Sequence, residues 1–136
     1  MRASTIARRS AAALLIIGAT ASCRASDANA PLAACDGPLT GVTITLSDNA
    51  PTSFSWSPRC SIGGMIVETN GATAPGADTW IIHDPNSRIA APVSYGVVPA
   101  NATEVLAPVP LVAGQKYRVH LIDGSGLELF SSDFTE

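Results

Sequence analysis

The chain has few basic side chains, few aromatic rings and only two histidines among its 136 residues. It has eight Lys and Arg residues and a net charge of −3, and the five that follow residue 22 are scattered: Arg24, Arg59, Arg88, Lys116 and Arg118. A nucleic-acid interface needs a basic patch that neutralises phosphates, so this composition argues against a nucleic-acid partner. No Gly-rich loop follows a strand and opens a helix, which argues against a nucleotide site.

Sequence patterns typical of catalysis and metal binding are also missing. There is no G-x-S-x-G elbow and no S-x-x-K pair, and the oxygen-rich segments 84–87 and 123–126 lack the spacing of a calcium loop. His83 and His120 have no second ligand at an informative spacing. We therefore expect no enzyme, no cofactor and no metal site. We interpret both histidines as solvated or capping residues and both segments as ordinary turns.

The apolar run at residues 11–19 is too short to span a bilayer, since it has about half of the roughly 20 residues that a membrane-spanning helix needs. It follows Arg2, Arg8 and Arg9, with no acidic residue before it. This order matches the charged n-region and short h-region of a secretory signal. The sequence therefore predicts that residues 1–22 are a cleaved signal peptide.

The cleavage region ends in Ala-Ser-Cys23 and resembles the lipobox of bacterial lipoproteins, although Thr20 stands where Leu is most usual. The resemblance implies that the Cys23 thiol is acylated, palmitate being one such chain, and that cleavage makes it the first residue. An ordinary signal with cleavage after Ala21 is the alternative, and it would leave Cys23 as a free thiol.

The cysteine count bears on that choice, because three cysteines are an odd number in an exported chain. If Cys23 is lipidated, Cys35 and Cys60 pair without remainder. Their disulfide would close a loop of about 25 residues and contribute on the order of 3 kcal/mol in the chain-entropy model.

Residues 23–35 are rich in Ala, Ser, Asp, Asn and Pro, so we expect a flexible tether. Residues 36–136 have the size of one domain. Short β-prone runs bounded by turn residues follow one another there, at 41–46, 53–56, 64–69, 79–83, 94–97, 104–107, 116–122 and 127–134. The pattern predicts an all-β, antiparallel sandwich of seven to eight short strands.

Alternation within these runs predicts which side chains face the core. Tyr117, Val119 and Leu121 share the inward face of one strand, and His120 falls on its outward face. Residues 123–126, Asp-Gly-Ser-Gly, indicate a hairpin after it.

Two segments resemble fibronectin type III domains. The stretch 111–117, Leu-Val-Ala-Gly-Gln-Lys-Tyr, is similar to the one that precedes the sixth strand of that family, and 54–58, Phe-Ser-Trp-Ser-Pro, is similar to its second strand. The resemblance implies an Ig-like sandwich with Trp56 in the core and a Tyr117 hydroxyl bonded to backbone near Leu111. The segment 92–99 with Pro110-Leu111 also resembles envelope lipoproteins that carry such domains. The family's third-strand Tyr has no clear counterpart here, and a disulfide is unusual in it.

Trp80 and Tyr95 are candidate ligand contacts, because an exposed aromatic ring can stack on a sugar or anchor a protein partner. The alternative places Trp80 in the core beside Ile82, two positions further along the same face. The alternation favours the core.

The sequence thus indicates a non-catalytic, lipid-anchored cell-envelope protein that acts as a structural or interaction module. It would bind the membrane through Cys23, with an envelope protein or a glycan as its candidate partner. In the lipoproteins it resembles, Asp after the acylated Cys favours the inner membrane, so Arg24 favours the outer membrane. The alternative is a soluble secreted or periplasmic domain that binds a glycan or peptide through Trp80 and Tyr95.

Overall fold

The computed structural model describes residues 31–70 and 77–136. The predicted signal peptide, the cleavage site and Cys23 lie outside these residues. The described residues form strands and no helix. The strands are β1 (Gly41–Thr45), β2 (Ser53–Ser57), β3 (Gly64–Thr69), β4 (Asp78–His83), β5 (Val93–Ser94), β6 (Thr103–Leu106), β7 (Lys116–Ile122) and β8 (Glu128–Thr135).

The strands form two antiparallel sheets. One has three strands in the order β1-β2-β5, and the other has five in the order β6-β4-β3-β7-β8. The Phe54 ring of the first sheet packs edge-on against the Phe134 ring of the second, with centroids 5.7 Å apart. The predicted all-β antiparallel sandwich is therefore confirmed, with eight strands.

Seven strands begin and end within one residue of their predicted bounds. The exception is β5, which was expected at 94–97 and occupies only two residues. Gly96 has a positive φ of 75°, and the Val97 N–H donates to the Ser94 carbonyl at 3.0 Å. The chain therefore turns immediately after Ser94, where the β-prone composition alone predicts continued extension.

The core lies between the sheets and follows the predicted alternation. Tyr117, Val119 and Leu121 are buried on the inward face of β7, as expected. They pack with buried residues of both sheets and of the segments between strands, namely Leu39, Phe54, Trp56, Ile62, Met65, Val67, Trp80, Ile82, Ile89, Val93, Leu129 and Phe134. Burial of this apolar surface is the main force that holds the sheets together.

Tyr117 also makes the polar contact that residues 111–117 imply. Its hydroxyl accepts a hydrogen bond from the Val112 N–H at 2.9 Å, and its ring stacks on Phe134 with centroids 5.5 Å apart. The loop before β7 is thereby attached to the strand that follows it.

Residues 33–35, near the start of the described chain, lie at the end of the sandwich that carries the disulfide. Cys35 and Cys60 are bonded, and the Ser61 backbone exchanges hydrogen bonds of 2.8 and 2.9 Å with Cys35 and Ala33. Residues 33–35, at the end of the predicted tether, are thus bonded to the domain. We call this the entry end, formed by residues 33–35, 60–64, 83–88 and 122–127. The far end comprises residues 45–53, 94–99, 109–116 and 135–136.

Candidate functional site

Trp80 lies in the core and offers no exposed ring surface. Its ring packs edge-on against Tyr95 at a centroid distance of 5.2 Å, and its indole N–H donates to the Glu104 carboxylate at 3.3 Å. Ile82, on the same face of β4, is equally buried. The core interpretation of Trp80 therefore describes this structure, and a ligand cannot stack on the ring without displacing the residues around it.

Tyr95 is half-buried, and its hydroxyl joins two neighbouring segments. The oxygen lies 3.1 Å from the Thr79 carbonyl and 2.6 Å from the Val109 carbonyl, so a single O–H proton is shared between two acceptors. Burial is the main cause that raises the pKa of Tyr95 above its ordinary value. The Val109 N–H also donates to the Thr79 carbonyl, at 2.9 Å. Tyr95 thus fastens the chain after β6 against β4.

An exposed aliphatic surface lies around the hydrogen bonds of the Tyr95 hydroxyl. It comprises Val97, Val98, Val105, Leu106 and Val109, and we call it the apolar edge. Its two segments are neighbours, because the Gly96 backbone faces the Pro108 ring and Tyr95 bonds to Val109. Soluble domains rarely expose aliphatic side chains as a contiguous patch unless the patch has a partner.

The apolar edge carries almost no charge. From residue 89 to residue 115, Glu104 is the only charged side chain. Glu104 pairs in register with the buried Ile82, and its carboxylate accepts the Trp80 hydrogen bond. Glu104 is exposed, so this segment presents one surface carboxylate, which the Trp80 indole N–H contacts.

β6 has several features that hinder the addition of a further strand. It spans four residues, its register with β4 shifts between Ile81 and Ile82, and Pro108 and Pro110 follow it closely. Short length, a bulge and prolines all protect sheet edges from uncontrolled pairing. A partner on this surface would consequently bind through side chains rather than by extending the sheet.

The outward face of β7 carries a cluster that differs from the expectation. His120 was interpreted as solvated or capping, but its Nε2 lies 3.0 Å from Glu68 Oε1 of β3, and its Nδ1 pairs with Glu128 of β8. Arg118 and Asp133 form a two-point ion pair on the same face, at 2.6 and 3.2 Å. The three strands bring together residues that are distant in sequence.

Two opposing effects act on the pKa of His120. Burial lowers it, while the hydrogen bonds and negative charges of Glu128 and Glu68 raise it, and the net effect is a raised pKa. Both ring nitrogens already contact carboxylates. The arrangement therefore suits an imidazolium between two anions and leaves no ring nitrogen directed at a metal ion.

The segment 84–87, interpreted as an ordinary turn, contains a buried carboxylate. Asp84 has 1% of its side chain exposed and accepts hydrogen bonds from the backbone N–H groups of Asn86 and Arg88, at 3.1 and 2.9 Å. The Arg88 guanidinium adds a two-point ion pair at 2.9 and 3.1 Å. These contacts hold the pKa of Asp84 well below its usual range. His83, next to Asp84 at the end of β4, is half-buried.

Within residues 31–70 and 77–136, no three His, Cys, Asp or Glu side chains are placed to hold a metal ion. The same part of the chain has no helix of the length and hydropathy needed to cross a membrane. A groove of about 220 Å³ lies beside the disulfide, lined by residues 35–38, 127–129 and Asp123. A polar groove of about 170 Å³ adjoins Lys116 and Asp133. Both fall below the roughly 300 Å³ at which small-molecule sites begin.

Comparisons with known protein families, curated proteins and solved structures found no match for this chain. The apolar edge is accordingly assigned as the candidate functional site on its exposure and charge alone.

Proposed function

We propose that the protein is a non-catalytic, lipid-anchored cell-envelope protein whose sandwich acts as a structural or interaction module. The Cys35–Cys60 disulfide is the observation that carries this proposal. It uses two of the three cysteines, so Cys23 is the one left for acylation in its lipobox-like context.

The position of the domain relative to Cys23 supports the same function. Within the described residues, Leu32 is the first whose backbone bonds to the sandwich, since its carbonyl accepts a hydrogen bond from the Ser61 hydroxyl at 3.2 Å, and it follows Cys23 by nine residues. At about 3.5 Å per residue, that length allows a reach of at most about 32 Å. A lipid on Cys23 would therefore hold the entry end close to the membrane. Two acyl chains on one cysteine suffice for stable anchoring. Arg24 after the cysteine favours the outer membrane.

An Ig-like or fibronectin type III-like assignment belongs to the same proposal. It is supported by the hydrogen bond between Tyr117 and Val112, by Trp56 in the core, and by the pair of antiparallel sheets. The Trp56 indole N–H donates to the Cys60 carbonyl at 2.9 Å, so this Trp also supports the disulfide region. Such a sandwich is a rigid frame for a binding surface.

The experiment is intact-mass analysis of the full chain expressed in a bacterium and extracted from its membranes. We expect an N-terminal Cys23 that carries acyl chains, and precursor accumulation when the cells are treated with globomycin. The variant Cys23→Ser should lose the added mass and appear in the soluble fraction. A mature chain that begins at Ser22 with an unmodified Cys23 would contradict the proposal.

A soluble secreted or periplasmic binding domain is the second candidate, and the apolar edge is the observation that favours it. An aliphatic surface suits a peptide better than a glycan, because sugar rings stack on exposed aromatic faces and Trp56, Trp80 and Tyr117 are buried. The mass measurement separates the two candidates, since only the soluble form would start at Ser22.

A further inference from the structure

We propose that the outer edge of β1 binds an extended, uncharged strand of a partner protein, which adds to the three-stranded sheet. This proposal names the partner class of the interaction module and rests on that part of the proposed function. It does not require acylation of Cys23. The two proposals can therefore fail separately: the mass of the mature chain tests the anchor, and amide exchange in β1 tests the edge.

Within the described residues, one side of β1 has no hydrogen-bonded neighbour. β1 is an outer strand of the three-stranded sheet and pairs with β2 alone, over all five of its residues and without a register shift. No other backbone hydrogen bond in that part of the chain involves residues 41–45. Every second residue of an edge strand directs its N–H and C=O away from the sheet. β1 therefore presents donors and acceptors at the spacing with which an extended polypeptide pairs.

The other three sheet edges in the described residues are protected, and β1 is not. β5 has only two residues, and β6 has four, with a register shift and two prolines after it. β8 has a register shift against β7 and two acidic residues, and its Leu129 carbonyl accepts a hydrogen bond from the Leu39 N–H at 3.2 Å. β1 contains no proline, and no charged residue lies between positions 36 and 48. Because natural sheets protect their edges with such features, an unprotected edge indicates a place where a strand is added.

The side chains of β1 indicate what the added strand carries. Val42 and Ile44 pack against the core but are only partly buried, and Leu46, the next position in the alternation, is 47% exposed. Aliphatic residues of an added strand on this face would bury all three. Thr43 and Thr45 are exposed on the opposite face, where Ser or Thr side chains would pair with them. The partner strand therefore alternates aliphatic and hydroxyl residues.

Charge favours a strand of another protein over a second copy of this chain. Residues 31–136 contain four basic and ten acidic side chains, which gives a net charge of −6, so two copies repel each other. β1 offers no charged residue with which a charge on the added strand could pair. An uncharged strand from a different protein meets neither obstacle.

The first test is hydrogen exchange of the full chain in detergent, followed by mass spectrometry. The probe is a synthetic peptide of about nine residues in which Val and Thr alternate, long enough to span β1. Saturating peptide should slow amide exchange in residues 41–45 by at least about tenfold and leave residues 103–106 of β6 unchanged. The same peptide N-methylated at two adjacent central residues is the control, because it lacks a donor on either edge.

Three outcomes of this exchange measurement would overturn the proposal. The first is unchanged exchange in residues 41–45 at saturating peptide, and the second is equal protection by the N-methylated control. The third is protection without peptide that increases with the concentration of the chain, since that result would assign the edge to a second copy.

The second test measures the affinity of the fluorescently labelled peptide for the full chain by anisotropy. Leu46→Lys should raise the dissociation constant by at least about tenfold, because the added strand would cover an unpaired charge. Val105→Lys is the matched control and should leave the constant unchanged, since Val105 is 63% exposed on β6 of the other sheet. Melting curves establish that both variants fold. Equal dissociation constants for the two variants would refute the proposal, as would a wild-type chain that binds no peptide at about 1 mM.

Discussion

Replacing Asp84 with alanine removes the acceptor around which the turn after β4 is organised. Two backbone N–H groups and the Arg88 guanidinium donate to its carboxylate, which is almost fully buried. A hydrogen bond to a charged group contributes about 1.5–3 kcal/mol, although such values do not add. The Arg88 side chain is 55% exposed and can hydrate when the carboxylate is lost. We therefore expect a net destabilisation of about 2–3 kcal/mol.

The position of Asp84 explains why the loss affects the whole entry end. Its backbone N–H donates to the Gly63 carbonyl at 2.6 Å, and Ser87, in the same turn, accepts from the Gly124 N–H at 2.8 Å. The turn therefore connects β4 to the start of β3 and to the β7–β8 hairpin. For a domain of about 100 residues, this destabilisation corresponds to a decrease in Tm of about 10–20 °C.

Thermal unfolding followed by circular dichroism at several pH values is the assay. Because the Asp84 pKa is lowered on folding, its contribution is complete above the ordinary value of 3.8 and is lost as the pH falls towards the lowered pKa. Asp84→Asn should remove this part of the acid dependence. Asp48→Ala, at an exposed position between β1 and β2, is the control and should melt like the wild type. A wild-type Tm in Asp84→Ala, or unchanged acid dependence in Asp84→Asn, would refute the reasoning.

Three further changes test other parts of the fold. Pairing with the two carboxylates raises the His120 pKa above 6.5, so the stabilisation from this pairing is complete below pH 6.5 and is lost as the pH rises through the raised pKa. His120→Gln should abolish this pH dependence of stability in denaturant titrations, and an unchanged profile would contradict the ion pairing. The double variant Cys35→Ser/Cys60→Ser opens a loop with a sequence separation of 25 residues. Its free energy of unfolding in urea should fall by about 3.5 kcal/mol, and a decrease below about 1 kcal/mol would be incompatible with the chain-entropy account. In Gly124→Ala the new Cβ would overlap the Pro85 carbonyl, whereas a Cβ at Gly41 would have nothing within 4 Å. We expect Gly124→Ala to lower the stability by about 1–3 kcal/mol and Gly41→Ala to leave it unchanged. Equal calorimetric Tm values for the two variants would disprove the close approach.

The strand pattern was largely predictable, because alternation and turn residues act over a few positions of the chain. β7 is the clearest case: Tyr117, Val119 and Leu121 alternate with polar residues and are buried as expected. The short β5 was not predictable from β-prone composition, since the positive φ at Gly96 ends it.

The side-chain clusters depend on strand register and were therefore not predicted. Glu68 and Glu128 reach His120 only because β3 and β8 pair with β7 on either side. The local sequence gives no signal for that arrangement, as 52 positions separate Glu68 from His120. The ion pair of Asp84 is different, because Arg88 follows it by four residues. Attention to that spacing could have identified a turn with a paired carboxylate.

The sequence by itself determined the all-β class, the positions of the strands, the core face of β7 and the cysteines left to pair. These properties follow from short-range periodicity, from turn residues and from the number of cysteines. Only the tertiary structure decided that Trp80 is enclosed by Tyr95 and Glu104, and that Val97 and Val105 lie on one exposed surface. Exposure depends on which strand becomes the edge of the sheet, and β6 takes that place because it pairs with β4 alone.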